Sequence, residues 1–145
     1  MKIVIQRVTN ANVAVNREIV GKIEKGFLIL LGISDDDSEE TVKRMVRKII
    51  NLRIFSDEND KMNLSIRDVK GEILVISQFT LYADCTRGNR PSFTASGKPE
   101  HAKKLYEIFI EEIKQQEIKV EHGIFGADMK VSLTNDGPVT ILLEA

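Results

Sequence analysis

Two stretches of this chain set polar side chains at spacings that chemistry could use. The first is Ser77-Gln78-Phe79-Thr80-Leu81, which runs on through Tyr82-Ala83-Asp84-Cys85-Thr86-Arg87-Gly88-Asn89-Arg90 to Pro91-Ser92-Phe93. Ser77 or Thr80 could attack an acyl group if the fold supplied a base and an oxyanion pocket. The G-x-S-x-G nucleophile elbow is missing, and neither His101 nor His122 stands where the sequence identifies it as that base. The alternative is that both hydroxyls satisfy backbone groups at a strand end. Gln78 can do the same or donate to a substrate carbonyl, and Phe79 reads as core rather than as a base-stacking platform. Cys85 lacks a Cys–His arrangement and reads as a free or partly buried cysteine. Asp84 either anchors an arginine or is an ordinary loop carboxylate. Arg87 and Arg90 carry planar forks suited to phosphate, and Gly88-Asn89 between them predicts a turn that brings them together.

The second stretch is Asn135-Asp136-Gly137-Pro138-Val139-Thr140, set between the apolar runs VSLT and ILLE. Asn, Asp and Gly are turn residues, and Pro138 removes a donor and restricts Gly137. The stretch is predicted either as a tight turn or as a rigid device that presents backbone atoms. A cis Gly137–Pro138 bond would redirect the neighbouring carbonyls. Fixed carbonyls can read stereochemistry, because a Cα hydrogen fits where a side chain collides. Between the two stretches, Phe125 and Met129 either line a pocket or pack as core. Asp128 is expected to hold its loop through backbone hydrogen bonds, and His122 to be a surface or loop residue. No zinc spacing, H-E-x-x-H, EF-hand or P-loop occurs, so no metal or cofactor is expected.

The elements that must position these residues follow from periodicity. KIVIQRV alternates as a strand, ANVAVN and REIVGKIE form a hairpin about Asn16 and Arg17, and GFLILLGI is a buried strand. Asp37 and Glu40 have the spacing of a capping box, and Val42, Met45, Val46 and Ile49 give the helix behind it an apolar side. NLRIFSDENDKMNLSI predicts short extended pieces around a turn, and GEILVIS a central strand. Pro99 starts a second helix with Ala102, Leu105, Phe109 and Ile113 facing inward. The tally is about seven strands and two principal helices. The fold class is α+β: curved, mainly antiparallel sheets in a barrel-like arrangement with helices packed against them.

Composition narrows the function classes. With 145 residues and 42% hydrophobic content, residues 1–145 read as one domain. No apolar run reaches the roughly 20 residues of a membrane span, so no membrane partner is expected. MKIVIQRVT lacks the parts of a signal peptide, and one cysteine makes no internal disulfide; a cytoplasmic protein is expected. A formal charge of -1 argues against a broad nonspecific nucleic-acid surface but leaves room for a local basic patch. Arg87 with Arg90 is one such patch; Lys43, Arg44, Arg47 and Lys48 read as a solvated helix face.

At these blocks the chain resembles the D-aminoacyl-tRNA deacylase family. The motifs are Ser77–Leu81 and Asn135–Thr140, supported by Val4–Val8, Asn51–Phe55, Lys61–Leu64, Arg90–Phe93 and Phe125–Met129, in order along essentially the whole chain. The resemblance implies a cytoplasmic homodimer, without cofactor, that hydrolyses the ester joining a D-amino acid to tRNA and also acts on mischarged glycyl-tRNA. It implies that Gly137 and Pro138 of one subunit face the other's pocket, where their carbonyls exclude an L side chain. Ser77, Gln78 and Phe79 would hold the aminoacylated terminal adenosine at the 3' end, with Met129 nearby. Thr80 corresponds to a candidate covalent nucleophile; in the RNA-assisted alternative the terminal ribose 2'-hydroxyl takes part and no protein side chain is obligatory. Arg7 would brace the gate. His122-Gly123 departs from the family pattern, which commonly has threonine before that glycine. A small-molecule esterase using Ser77 or Thr80, and a non-catalytic RNA-end binding protein, are the competing readings.

Overall fold

The computed structural model describes all residues, Met1–Ala145. Strand β1 (Lys2–Val15) runs unbroken through the predicted strand and on into the first arm of the hairpin. It turns into β2 (Glu18–Ile23) at Asn16 and Arg17, both with positive φ (50° and 69°), the backbone twist that a two-residue hairpin needs. Strand β3 (Gly26–Gly32) pairs antiparallel with β1 and parallel with β6 (Glu72–Ser77), and β6 pairs parallel with β7 (Val120–His122). With neighbours on both edges, β3 and β6 are nearly continuous apolar runs rather than alternating ones. The sheet order is β2-β1-β3-β6-β7, with β8 (Lys130–Glu144) along the other edge of β1. The sheet is mainly antiparallel, as expected, with β1 antiparallel to β2, β3 and β8; its two parallel pairs arise because β3 and β6 are joined by a crossover through a helix and not by a hairpin.

The sheet curls until β2 comes against β6 and β7. Gly21 sits where that closure is tightest: a Cβ there would lie 2.9 Å from the His122 carbonyl oxygen, so the two strands approach only with a bare backbone. One core lies between Val8, Ala11, Val13, Ile23, Leu28, Leu74 and Ile76 inside the curl. The larger core lies on the opposite face, where helices α1 (Glu39–Ile50) and α2 (Pro99–Lys114) pack on Ile3, Ile5, Phe27, Ile29 and Val75. The predicted apolar stripes are buried as read, Val42, Met45, Val46 and Ile49 on α1 and Ala102, Leu105, Phe109 and Ile113 on α2. Each large aliphatic or aromatic side chain so buried contributes about 1.5–3 kcal/mol over exposure. The two-stranded ribbon β4 (Phe55–Ser56) and β5 (Met62–Leu64) supplies the predicted short pieces. No helix is long and apolar enough to cross a membrane.

The cap of α1 differs from expectation. Ser38, in extended backbone, is the N-cap and exchanges hydrogen bonds with Thr41. Asp37 turns inward instead, where its carboxylate meets the Met1 ammonium at 2.5 Å and the Ser34 N–H and hydroxyl at 2.8 and 3.0 Å. A buried carboxylate must be fully partnered, and that demand outweighs the capping role that spacing suggested.

Candidate active site

The pocket wall begins where β6 runs out. Ser77 lies beside Leu31 in the parallel register, and the Gln78 N–H donates to the Leu31 carbonyl at 2.8 Å, which holds the chain to β3 for one residue past the strand. A 3-10 turn over Phe79–Tyr82 then swings the backbone outward, leaving the first amides, those of Phe79 and Thr80, without an acceptor inside the turn. This turn overturns the reading of Phe79 as core: the residue is 57% exposed, and its ring meets that of Phe93 edge to face with centroids 5.0 Å apart.

A cavity of about 550 Å³ opens beside this turn. One side is Ser77, Gln78 and Phe79; another is Phe125–Met129, between β7 and β8; Ser96, Gly97 and Pro99 close it at the start of α2, with Leu31, Ile33 and Ile76 as floor. Phe125 and Met129 therefore line a pocket, the functional alternative of the sequence reading. The Gly97 N–H donates to the Ile33 carbonyl at 2.8 Å, tying the α2 side to β3. Sequence reasoning missed Ser96 and Gly97; the signal was a glycine two residues before the Pro99 helix start.

Thr80 does not line the cavity. Its hydroxyl accepts a hydrogen bond from Gln78 Nε2 at 2.5 Å. Neither histidine reaches the wall: His101 Nε2 contacts the Asp37 carbonyl at 3.0 Å, and His122 Nδ1 the Gly123 carbonyl at 2.8 Å. The hydroxyls of Ser77 and Thr80 thus have no imidazole base beside them, and the cavity supplies apolar walls and the Gln78 amide instead. Behind the wall, burial pushes the Tyr106 phenol far up, so it stays a neutral donor to the Val75 carbonyl at 3.0 Å. Asp128 differs from expectation: its exposed carboxylate pairs with Lys130 Nζ at 3.0 Å rather than with backbone amides, because Lys130 stands two residues on along β8. Asp84 is the loop carboxylate of the bland reading, held below its usual range by the Thr86 N–H and hydroxyl. Cys85 is free and exposed.

The Asn135–Thr140 stretch is not a turn between two strands. β8 passes straight through it, with Asn135 opposite Val8 and Thr140 opposite Gln6, so the four residues Asp136–Val139 stand against Arg7 alone. Such an excess on one strand is a large bulge. The alternative of a rigid device describes it better than a tight turn, because its interior is pinned from both ends. Asn135 accepts from the Val139 N–H at 2.9 Å and donates to Thr140 Oγ1 at 3.1 Å. Arg7, only 7% exposed, donates from Nε to the Asp136 carbonyl at 3.1 Å and from Nη1 to the Ile54 carbonyl at 2.6 Å. The Asp136 carboxylate lies 3.3 Å from the same guanidinium. The Gly137–Pro138 peptide is cis, as the sequence reading allowed, and Gly137 has φ +129°. Both residues are exposed, and neither lines the cavity of its own chain.

The candidate residues therefore fall into two places: Ser77, Gln78, Phe79 and Met129 share one cavity, while Gly137 and Pro138 stand apart on the bulge. Comparison with known proteins gives both places one context. The family model described as D-Tyr-tRNA(Tyr) deacylase matches residues 4–144. A D-aminoacyl-tRNA deacylase of Thermosipho melanesiensis is 60% identical over 146 residues, covering 100% of this chain and 97% of that protein. One from Clostridium beijerinckii is 59% identical over 145 residues, with the same coverages of 100% and 97%. Among solved structures, that of a c-Myc DNA Unwinding Element Binding Protein superposes with a TM-score of 0.93 at 44% identity, covering 100% of this chain and 99% of the other. Matched along nearly all of its length by model, sequence and fold, the chain belongs to the D-Tyr-tRNA(Tyr) deacylase family.

Proposed function

We propose that this protein is a D-aminoacyl-tRNA deacylase of the cytoplasm, which cleaves the ester between tRNA and a D-amino acid or mischarged glycine and spares L-amino acids. Water adds across the ester, releasing the free amino acid and the terminal ribose hydroxyl. The observation that carries the reading is the Arg7-braced bulge, which holds Gly137 and Pro138 out of this chain's own cavity and exposed to another molecule. A second copy supplies that molecule. The outer edge of β8, 15 residues long, pairs with nothing in this chain, and Leu142 upon it is 73% exposed. Long apolar edge strands are ordinarily covered, and a symmetric partner covers two at once.

In that dimer the carbonyls of the bulge would close the partner's cavity over the substrate Cα. Hydrogen fits in the gap on one side of a D-amino acid, while the side chain of an L-amino acid collides; glycine passes. Ser77, Gln78 and Phe79 hold the terminal adenosine and Met129 packs nearby. The cavity has no imidazole base, which favours catalysis by orientation and main-chain donors, with the ribose 2'-hydroxyl as the participating group, over a protein nucleophile. The deciding experiment compares release of D-tyrosine and L-tyrosine from matched charged tRNA against spontaneous loss. Cleavage of the D-ester alone is expected. Equal cleavage would favour a general esterase, and no acceleration by a folded dimer would leave a protein that binds RNA ends.

A further inference from the structure

The loop between Ala83 and Ser96 leaves the cavity wall and returns to it, with Phe79 on one side and Ser96, Gly97 and Pro99 on the other. An antiparallel bridge between Asp84 and Ser92, with N–H to carbonyl distances of 2.8 and 2.9 Å, closes its neck. Thr86 fastens to the Asp84 carboxylate at the neck, and Gly88, with φ +76° and nothing within 4 Å of where a Cβ would stand, forms the tip. Arg87 and Arg90 flank that tip and are exposed. Each of Lys103, Lys104, Lys114, Lys119 and Lys130 has a carboxylate partner, but neither loop arginine has one. The segment from Asp84 to Lys98 carries three cations, Arg87, Arg90 and Lys98, against a single carboxylate, in a chain of formal charge -1. Another basic group without carboxylate partners, Arg44, Arg47 and Lys48 on α1, belongs to a helix that contributes nothing to the cavity wall.

We infer that Arg87 and Arg90 hold the phosphodiester backbone of the substrate RNA immediately upstream of the nucleotide seated in the cavity. The inference rests on the proposed deacylase reading and extends it from the terminal adenosine to the strand behind it. A guanidinium fork matches a phosphate's oxygens, and a loop with a bonded neck keeps two such forks at the rim without reading base identity. This also accounts for a binding surface confined to one rim on a protein of no net basic charge.

The test pairs two substrates that share the ester and differ in phosphates: D-tyrosyl-tRNA, and D-tyrosine esterified to adenosine alone. For the double variant Arg87→Gln, Arg90→Gln, kcat/KM on the tRNA should fall at least about tenfold, and the slope of its logarithm against the logarithm of salt concentration should become shallower by about 0.7 for each phosphate no longer neutralised. On the adenosine ester the variant should match the parent. Arg→Lys at both positions should recover part of the loss, because charge remains while the fork is gone. Parental kinetics and salt slope on tRNA would overturn the assignment, as would equal losses on both substrates, which would place the arginines' effect inside the cavity. A parent protein that cleaves neither ester would instead refute the deacylase reading, a different outcome from either.

Discussion

The cavity wall and the bulge are both made where a strand stops behaving as a strand, yet they are held in opposite ways. The wall at Ser77–Phe79 is secured by main-chain bonds to β3 and by apolar packing, and its own side chains are partly open. The bulge at Asp136–Val139 has almost no apolar packing of its own beyond Val139, which is 6% exposed, and is held by two polar side chains, Arg7 and Asn135. A cavity can tolerate loose side chains because its shape comes from the floor beneath. A protruding stretch of backbone keeps its shape only if its polar groups are individually fixed, since nothing above it packs down. Stability should therefore be most sensitive at the bulge, and substrate handling at the wall.

The strongest way to break this contrast is to remove the brace. Arg7→Met should cost about 2–4 kcal/mol, read as a lowered urea midpoint, because the Ile54 and Asp136 carbonyls lose a charged donor. The half-exposed Asp136 carboxylate adds little to that figure, since water screens it. An unchanged midpoint would show that the bulge is held by something else. Gly137→Ala comes next, at about 1–3 kcal/mol, for its φ of +129° and for a Cβ that would lie 2.9 Å from Val139 Cγ2 and 3.0 Å from Arg7 Nη2. On the proposed reading this variant also loses discrimination or activity toward D-esters; retention of both would move the chiral filter into the cavity.

At the wall, the expected effects are on substrate rather than on folding. Phe79→Ala should leave thermal stability within about 0.5 kcal/mol, since the ring is largely exposed, while weakening substrate binding by about 1–3 kcal/mol, the worth of one aromatic stacking surface. A large loss of stability with unchanged KM would reverse the assignment of the two regions. Thr80→Val is expected to have the smallest effect, about 1 kcal/mol or roughly fivefold in rate, because it removes one hydrogen bond from Gln78. Complete loss of turnover with binding retained would instead identify Thr80 as the nucleophile of the esterase reading.

Local signals carried much of this molecule. The two helices, their buried stripes, the Asn16-Arg17 hairpin, the buried β3 run and the Pro99 start were all legible, because each depends on periodicity or backbone preference within a few residues. Ser77, Gln78, Phe79 and Met129 of the cavity wall and Gly137 and Pro138 of the bulge were named as well, since their blocks follow one another in family order along the chain, whereas Ser96 and Gly97 were not. The sequence alone could not choose between alternatives that differ in what lies across a sheet. Asp37 has capping spacing, and only the arrival of Met1 and Ser34 makes it a buried partner. Phe79 fits an apolar pattern, and only the turn after β6 takes it to the surface. Asn135–Thr140 has turn composition, and only pairing with β1 keeps it a strand with four residues against Arg7. Composition and period are properties of one segment, so the sequence determined which elements form. Register, burial and the separation of Gly137–Pro138 from its own chain's cavity depend on residues far apart in the chain, and only the tertiary structure decided them.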